Sequence, residues 1–149
     1  GQYVEKLIPK SCKYLKLGKK IPLHNNGTPI RNWLHASDTA RAIVTIIESG
    51  IKNEIYNISG DYEQANIDTV LQILKSTGKD INLYLDEGDP YAIDIEKYID
   101  FSFTRQGQDV RYSIDDSKIK ELGWKPEAKF NKSLDEIVDY YFTKGNFVW

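Results

Sequence analysis

A helix and a strand follow one another in the middle of the chain, and nothing else in the sequence is built to receive them. The predicted helix over residues 38–49 has apolar side chains on more than one stripe, which favours burial on two sides. EIYNIS, residues 54–59, predicts a short buried strand. Together they resemble an edge βα unit of a parallel sheet, yet no similar strand-helix alternation precedes or follows them. The chain is therefore expected to complete a sheet that it does not contain.

The remaining periodicity is mainly helical, with short extended pieces. Apolar spacing predicts helices within residues 5–17, ending at Gly18, and over 67–77, ending at Gly78. A shorter helix is expected near 115–122, and an S-x-x-E capping box at Ser133 and Glu136 predicts the start of the last one. Two extended pieces within 19–34 flank an Asn-Asn-Gly turn, and IDFSF, residues 99–103, alternates like a half-exposed strand. The fold class is α/β, mostly helical with short strands.

Composition excludes several classes of function. The 149 residues are the length of one domain, and 20 Lys and Arg against 22 Asp and Glu leave a net charge of -2, which does not favour nucleic acid. One cysteine allows no internal disulfide, no apolar run reaches membrane-spanning length, and no signal peptide is recognisable, so a cytoplasmic location is expected. The chain opens on GQYVEKLIP and contains no Met. We interpret it as a piece of a longer protein.

Two familiar catalytic patterns have simpler explanations here. Tyr140 and Lys144 match the Y-x-x-x-K spacing of a dehydrogenase helix, but they close the chain and no G-x-G-x-x-G loop precedes them. His24 and His35 are the only histidines, and no carboxylate pattern around them predicts a metal site. Neither pattern predicts catalysis, and no metal is expected.

Basic side chains offer the better lead. Lys6, Arg31, Arg105 and Arg111 stand out, and the planar fork of arginine offers paired donors to diphosphate oxygens. Each of them could equally be a solvated charge or one half of an ion pair. Asn66 could cap a helix, whose N-terminus would itself attract phosphate. Spacing alone does not bring these residues together.

Seven collinear segments resemble one enzyme family. They are EKLIP (5–9), GKKIPLHNNG (18–27), IRNWLHASDTARAI (30–43), EIYNISG (54–60), NIDTV (66–70), RQGQDVRYSID (105–115) and LGWKP (122–126). In this order they resemble the C-terminal half of nucleotide-diphosphate-glucose 4,6-dehydratases, which are extended short-chain dehydrogenases, and the dTDP-glucose 4,6-dehydratases most of all. The resemblance covers essentially the whole chain, so residues 1–149 are expected to form a C-terminal nucleotide-sugar-binding domain.

The resemblance implies a two-part enzyme. An N-terminal Rossmann domain holds NAD, and the smaller C-terminal domain grips the nucleotide sugar, dTDP-glucose or UDP-glucose. Hydride passes from sugar C4 to NAD, water is lost across C5 and C6, and the hydride returns to C6. By position, Glu5, Lys6 and Leu7 would contact the base and ribose side, with Pro22, Leu23 and His24 around the base. The diphosphate would lie among Arg31, Asn66, Arg105, Gln108 and Tyr112.

Two departures from the family pattern bear on the substrate. Many thymidine-specific members have Tyr where His24 stands, and His there is similar to the UDP-glucose-using dehydratases. RQGQD, residues 105–109, replaces R-P-G-H-D, with Gln108 in place of histidine. The base is therefore left open between thymine and uracil.

The family's NAD loop and its catalytic residues belong to the half that does not match this chain. The chain alone is therefore expected to bind no NAD, to have no catalytic residue and to be inactive. The helix from Asp38 and the strand at 55–58 should expose apolar surface, or be covered by the Rossmann half or by a second copy of the chain. Alternatives are a nucleotide-sugar epimerase or decarboxylase of the same superfamily, and a non-catalytic binding or assembly module.

Overall fold

The computed structural model describes residues 2–77 and 95–144. Its helices are α1 (Leu7–Lys16), α2 (Ala36–Ser49), α3 (Asn66–Ser76), α4 (Ser117–Lys120) and α5 (Phe130–Thr143). Its strands are β1 (Ile21–Pro22), β2 (Ile30–Asn32), β3 (Glu63–Ala65) and β4 (Ile99–Asp100), and 3-10 turns cover His24–Gly27 and Ile95–Lys97. The α/β class with few, short strands is confirmed.

Helices α1, α3 and α5 pack against one another and form the main core. Ile8 and Cys12 of α1 meet Ile73 of α3 and Leu134 and Val138 of α5. A second cluster joins the other side of α3 to β1 and β4. A third, smaller cluster holds α2 to α4 through Ala42, Ile119 and Trp124. Helix α3 is thus fixed from two sides, and its first turn is a rigid support for neighbouring loops.

Two small sheets bring distant loops to one place. β1 pairs in parallel with β4, with Ile21 opposite Ile99. β2 pairs antiparallel with β3, with Arg31 opposite Gln64. Parallel strands end at the same edge of a sheet. The turn after β1 and the loop after β4 therefore leave side by side, although about 80 residues separate them in sequence.

The predicted strand over 54–59 is wrong. This segment is extended but pairs with no strand among the described residues, and the Ile55 side chain is 86% exposed. A strand needs a neighbour for its backbone hydrogen bonds, and the described chain provides none here. Side chains hold the segment instead: Lys118 pairs with Glu54 at 2.6 Å, and the Ser59 hydroxyl donates to Asp116 at 3.0 Å.

Helix α2 exposes much of its apolar surface. It ends at Ser49, as predicted, with Gly50 as its C-cap, but it begins at Ala36, and its N-cap is His35, whose Nδ1 accepts from the Ser37 N–H at 3.2 Å. The helix predicted over residues 38–49 therefore begins two residues earlier than expected, and Asp38 lies inside it. The side chains of Ile43, Val44 and Ile47 are exposed, so burial on two sides does not occur within the described chain, and the predicted exposed face is observed.

The last helix also begins earlier than predicted. Helix α5 starts at Phe130, with Lys129 as its N-cap, so Ser133 and Glu136 lie inside the helix and form no capping box. Phe130 stacks on Tyr62 at 4.7 Å and tilts against Trp33 at 5.4 Å. Burial of this aromatic ring sets the start of the helix.

Two smaller predictions remain from the sequence. IDFSF forms a strand only at Ile99–Asp100, because β1 is just as short and offers no further partner. Helix α1 ends before Gly18 and α3 ends at Ser76, in keeping with the predicted helices. The predicted stop at Gly78 and the acidic segment that follows it lie outside the described residues.

Candidate functional site

The segment after β4 runs beside β2, and this contact builds the site. The Ile30 N–H donates to the Val110 carbonyl at 2.8 Å, and Ile30 forms an isolated parallel bridge with Arg111. The other edge of β2 is paired with β3. The middle residue of β2, Arg31, therefore has a neighbouring chain on each side.

Arg31 is half-buried and held in a fixed direction. Its Nη1 donates to the Asp109 carbonyl at 3.1 Å and to the Ile30 carbonyl at 2.7 Å. The guanidinium carbon lies 4.6 Å from the centre of the Tyr112 ring, within range of a cation-π contact. No carboxylate of the described residues forms a salt bridge with Arg31. The guanidinium is thus oriented by neutral groups, and its charge stays available to an anion.

The Tyr112 hydroxyl lies near one carboxylate and two arginines, and all three affect its pKa. Its hydroxyl donates to Asp109 Oδ2 at 2.6 Å, and this hydrogen bond, with the Asp109 charge, raises the pKa of Tyr112. The charges of Arg31 and Arg105 act on the same hydroxyl in the opposite direction. Arg31 and Arg105 are therefore both near enough to Tyr112 for their charges to act on its hydroxyl.

The turn after β1 holds the segment that carries Arg105. The Arg105 N–H donates to Asn25 Oδ1 at 2.9 Å, and Asn25 Nδ2 donates to Gln108 Oε1 at 3.0 Å. The Arg105 side chain is exposed and forms no salt bridge with any described residue. Arg105 and Gln108 are thus supported through Asn25, a residue that the sequence did not single out.

Asn66 lies at the same edge, at the start of α3. It follows Ala65, the partner of Ile30 in the β2–β3 pair, and its N–H donates to the Pro29 carbonyl at 3.0 Å. The N-cap of α3 is Ala65, so the predicted capping role of Asn66 is wrong. Its side chain forms no hydrogen bond with the described residues, which leaves the amide available next to the first turn of α3.

Gly27 presses the turn onto α3. Its φ is +71°, and a Cβ there would stand 2.5 Å from Leu23 Cδ2 and 2.9 Å from the Ile67 N. Only glycine allows this approach. The turn, the start of α3 and the segment after β4 are therefore in contact, and Arg31, Asn66 and Arg105 lie on adjoining pieces of backbone.

The residues predicted around the base differ in their settings. Pro22 is half-buried in β1, whereas Leu23 is only 2% exposed and its side chain packs in the core. The His24 ring lies 5.7 Å from the ring of Phe103, tilted by 57°. His24 Nδ1 is buried and has no hydrogen-bond partner among the described residues. A buried nitrogen without a partner is costly, so this atom is a candidate contact for a ligand.

The residues predicted on the ribose side lie at the start of α1. Glu5 and Lys6 are exposed, and Leu7, the first residue of the helix, is half-buried against the β1–α3 cluster. Among the described residues, no hydrogen bond or salt bridge joins these three to Arg31 or Arg105. They form a separate group, and a ligand bound at Arg31 would have to be long enough to contact them as well.

Arg111 is occupied by a protein partner. Its guanidinium donates to Glu63 Oε2 at 2.7 Å across the edge of β3. The structural alternative considered from the sequence, an ion pair, thus holds for this arginine. Sequence reasoning missed Asn25, Asp109 and Phe103; only the Asn-Asn-Gly turn signal pointed toward the first of them.

A cavity of about 730 Å³ lies elsewhere, between the start of α2 and helix α5. Trp33, Tyr62, Phe130, Ile137 and Tyr140 contribute its aromatic and aliphatic wall. None of the eleven predicted binding residues lines it, so its position gives no support to the diphosphate hypothesis. Volume alone does not identify the site, because the charges that would hold a diphosphate are at the other place.

The described residues do not provide a dinucleotide site. β2 leads into α2, and β3 leads into α3, without a glycine in either connection, whereas a Rossmann fold places the pyrophosphate on a glycine-rich turn. Across the described ranges, no three His, Cys, Asp or Glu side chains come together as metal ligands. Each helix found in those ranges is too short or too polar to span a lipid bilayer.

Comparison with known proteins gives consistent relatives. A family model described as GDP-mannose 4,6 dehydratase matches residues 1–137. A dTDP-glucose 4,6-dehydratase of Shigella flexneri is 38% identical over 147 residues, which are 98% of this chain and 38% of that protein. The low-salt glycan biosynthesis protein Agl12 of Haloferax volcanii is 34% identical over 94% of this chain and 40% of its own length. The chain thus spans about two-fifths of these relatives.

Solved structures of dTDP-glucose 4,6-dehydratases resemble this chain in fold as well as in sequence. The dTDP-glucose 4,6-dehydratase of Bacillus anthracis, in complex with NAD, has a TM-score of 0.78 and 35% identity over 96% of this chain and 41% of that one. The Streptomyces venezuelae enzyme, with NAD and TYD bound, has a TM-score of 0.79 and 32% identity over 96% of this chain and 40% of its own. A UDP-glucuronic acid 4-epimerase of Bacillus cereus, 20% identical with a TM-score of 0.72, shares the fold. The predicted resemblance is confirmed, and the chain belongs to the GDP-mannose 4,6 dehydratase family, with dTDP-glucose 4,6-dehydratases among its relatives.

Proposed function

We propose that this chain is the C-terminal nucleotide-sugar-binding part of an NAD-dependent dTDP-glucose 4,6-dehydratase, which converts dTDP-glucose to the 4-keto-6-deoxy sugar. One observation carries the proposal. Arg31 donates to the Asp109 carbonyl at 3.1 Å, in the segment that also carries Arg105, and neither arginine has a carboxylate partner among the described residues. Two such cations at one place favour a dianionic group, and the names of the relatives indicate which one.

The diphosphate is assigned to the group around Arg31. Each guanidinium offers paired N–H donors that match two phosphate oxygens. The Asn66 side-chain amide, which forms no hydrogen bond with the described residues, adds a neutral donor at the start of α3, and a helix N-terminus favours negative charge. Gln108 and Tyr112 complete the group. The ligand replaces water around the Arg31 charge, which the fold already holds in direction, so this group needs little ordering on binding.

The base is assigned to the surroundings of His24, next to Pro22 and the backbone of Leu23. His24 Nδ1, which has no hydrogen-bond partner among the described residues, suits the polar edge of a pyrimidine. The Phe103 ring beside His24 offers an apolar wall. Glu5, Lys6 and Leu7, at the start of α1, are assigned to the base and ribose side. A uridine-specific 4,6-dehydratase is the second candidate, favoured by histidine rather than tyrosine at position 24.

NAD and the chemical steps are assigned to the part of the relatives that this chain does not match. The exposed face of α2 (Ile43, Val44 and Ile47), together with Ile55, supports a role in packing against that part, because an exposed apolar patch of this kind marks an interaction surface. The chain alone is expected to be inactive, since its described residues offer neither a dinucleotide turn nor a base beside one.

Calorimetric titration of the chain with dTDP, UDP, dTDP-glucose and inorganic phosphate tests the proposal. One of the nucleotides should bind at least about tenfold more tightly than phosphate, a difference that corresponds to about 1.4 kcal/mol. Arg31→Ala and Arg105→Ala should each weaken nucleotide binding by about tenfold or more. Lys132→Ala, which removes a positive charge that is 82% exposed on α5, is the control and should leave binding unchanged.

The reverse result is equally clear. Equal affinity for nucleotide and for phosphate would refute the nucleotide-sugar assignment, and a loss of binding in Lys132→Ala as large as in Arg31→Ala would show that total charge alone attracts the ligand. Tighter binding of UDP than of dTDP would select the uridine enzyme.

A further inference from the structure

The turn between β1 and β2 has an unusual backbone. Asn25, Asn26 and Gly27 are consecutive, and all three have positive φ, at 50°, 53° and 71°. L-residues rarely occupy this region, and asparagine and glycine are the types that tolerate it best. The run turns the chain sharply, so that the side chain of Asn25 points away from β1 and toward the segment after β4. Asn25 and Asn26 have the same left-handed backbone conformation, but their side chains make different contacts.

The Asn25 side chain uses both of its polar atoms on that segment. Its Oδ1 accepts from the Arg105 N–H at 2.9 Å. Its Nδ2 donates to the Arg105 carbonyl at 3.1 Å and to Gln108 Oε1 at 3.0 Å. Asn26, by contrast, is exposed, and its side chain forms no hydrogen bond with the described residues. The next residue along the turn therefore offers a matched comparison.

The rest of the segment is held at its two ends. The Asn25 N–H donates to the Phe103 carbonyl at 3.0 Å, and the Ile30 N–H donates to the Val110 carbonyl at 2.8 Å. Between these points residues 106–107 form a turn, and the hydrogen bonds that join residues 105–108 to described residues outside this stretch are all made by the Asn25 side chain. Gly107 has a φ of +67°, and a Cβ there would meet no atom within 4 Å. Among the described residues, Asn25 is thus the side chain that ties this turn to the rest of the structure.

We propose that Asn25 is a positioning residue for anion binding. By clamping Arg105 at both its N–H and its carbonyl, and by orienting Gln108, it fixes the backbone from which the Arg105 side chain reaches the anion before a ligand arrives. The inference rests on the proposed function, because it assigns a role within the same diphosphate site. Asn25 does not itself touch the ligand, and its effect passes through Arg105 and Gln108.

Asparagine is the residue type that this geometry requires. The clamp needs one acceptor and two donors on a short side chain, which the carboxamide supplies. Aspartate would face the Arg105 carbonyl and Gln108 Oε1 with acceptors only, and would add a negative charge beside the anion. Glycine would keep the backbone conformation and remove all three bonds, so Asn25→Gly isolates the side chain.

The test compares Asn25→Gly with Asn26→Gly by calorimetry with dTDP and UDP. Asn25→Gly should raise the dissociation constant of the preferred nucleotide by about tenfold, and Asn26→Gly by less than about twofold. In a chain that already carries Arg105→Ala, Asn25→Gly should add less than about threefold, because residues that act as one unit are not additive. If Asn25 only stabilised the fold, Asn25→Gly would weaken nucleotide binding by the same factor with and without Arg105→Ala.

Hydrogen exchange of the Arg105 N–H gives a readout that needs no ligand. This amide should exchange at least about tenfold faster in Asn25→Gly and at an unchanged rate in Asn26→Gly. An unchanged nucleotide affinity in Asn25→Gly, or the same loss in the presence and absence of Arg105→Ala, would overturn the positioning role while leaving the proposed function intact. Failure of the unsubstituted chain to bind either nucleotide would instead overturn the proposed function.

Discussion

Asp38→Ala removes a buried carboxylate that joins α2 to the segment before α5. Asp38 is 2% exposed, and its two oxygens accept from the backbone N–H groups of Glu127 at 3.2 Å and Ala128 at 3.1 Å. The same carboxylate forms a salt bridge with Arg41, one turn further along α2. The Asp38 carbonyl also accepts from Trp124 Nε1 at 3.2 Å, a bond that alanine would keep.

The loss of stability follows from the donors that remain. Two backbone N–H groups lose their acceptor, and each costs about 1 kcal/mol, the low end for an unsatisfied donor, because Glu127 is exposed and Ala128 half-buried. Asp38→Ala should therefore lower the free energy of unfolding by about 2 kcal/mol or more. For a chain of this size, that loss corresponds to a fall of about 4–8 °C in Tm.

Urea denaturation followed by far-ultraviolet circular dichroism measures this loss. Asp61→Ala is the control, since Asp61 is an exposed carboxylate that also pairs with a cation, Lys120, at 2.8 Å, and its removal should change stability by less than about 0.5 kcal/mol. If Asp38→Ala costs no more than Asp61→Ala, the two N–H groups find water easily and the reasoning from burial is refuted.

The dependence of stability on pH tests the same carboxylate. Burial raises the pKa of Asp38, but the hydrogen bonds from Arg41 and from the backbone of Glu127 and Ala128 outweigh it and hold the pKa below its ordinary value. The stability that Asp38 contributes is therefore complete above its unfolded pKa of about 3.9 and is lost as pH falls through the lower folded value. Stability measured from pH 7 down to pH 2 should show a smaller acid-induced loss in Asp38→Asn than in the unsubstituted chain.

Two further outcomes follow from the structure. Gly27→Ala should lower the free energy of unfolding by about 3 kcal/mol in urea denaturation, because a Cβ at φ +71° would stand 2.8 Å from Ile67 Cβ; Gly18→Ala, with φ +66° but open space, should lose only about 1 kcal/mol, and equal losses would refute the packing argument. Ile47, 72% exposed on α2, should mediate self-association of the chain. Sedimentation at rising concentration should show association that Ile47→Glu reduces, with stability changed by less than about 0.5 kcal/mol, and a variant that associates as strongly would contradict it.

The errors in the sequence predictions share one origin. A strand over 54–59 was expected from its β-rich composition, but no described strand pairs with this segment, and nothing among the described residues covers the Ile55 side chain. A capping box at Ser133 was expected from the S-x-x-E pattern, but the helix begins earlier, at Phe130, whose ring packs against Trp33 and Tyr62. Local pattern measures the preference of a segment in isolation, and pairing and burial decided both cases.

The candidate site divides in the same way. Arg31, Arg105 and Asn66 could be named from the sequence because arginine forks and a helix start suit phosphate, and the family resemblance selected them. Asn25 could not, since its role depends on hydrogen bonds to residues 105 and 108, about 80 positions away. Such a contact leaves no periodicity in the sequence.

Amino-acid order by itself determined the helices α1, α2 and α3, the positions where two of them end, and the family. Helix periodicity and left-handed glycines act within a few residues, so they can be read locally. Only the tertiary structure decided that β1 runs parallel to β4 and that β2 lies beside residues 109–111. These contacts join segments that no short-range preference relates, and they place Arg31 of β2 beside the segment after β4 that carries Arg105.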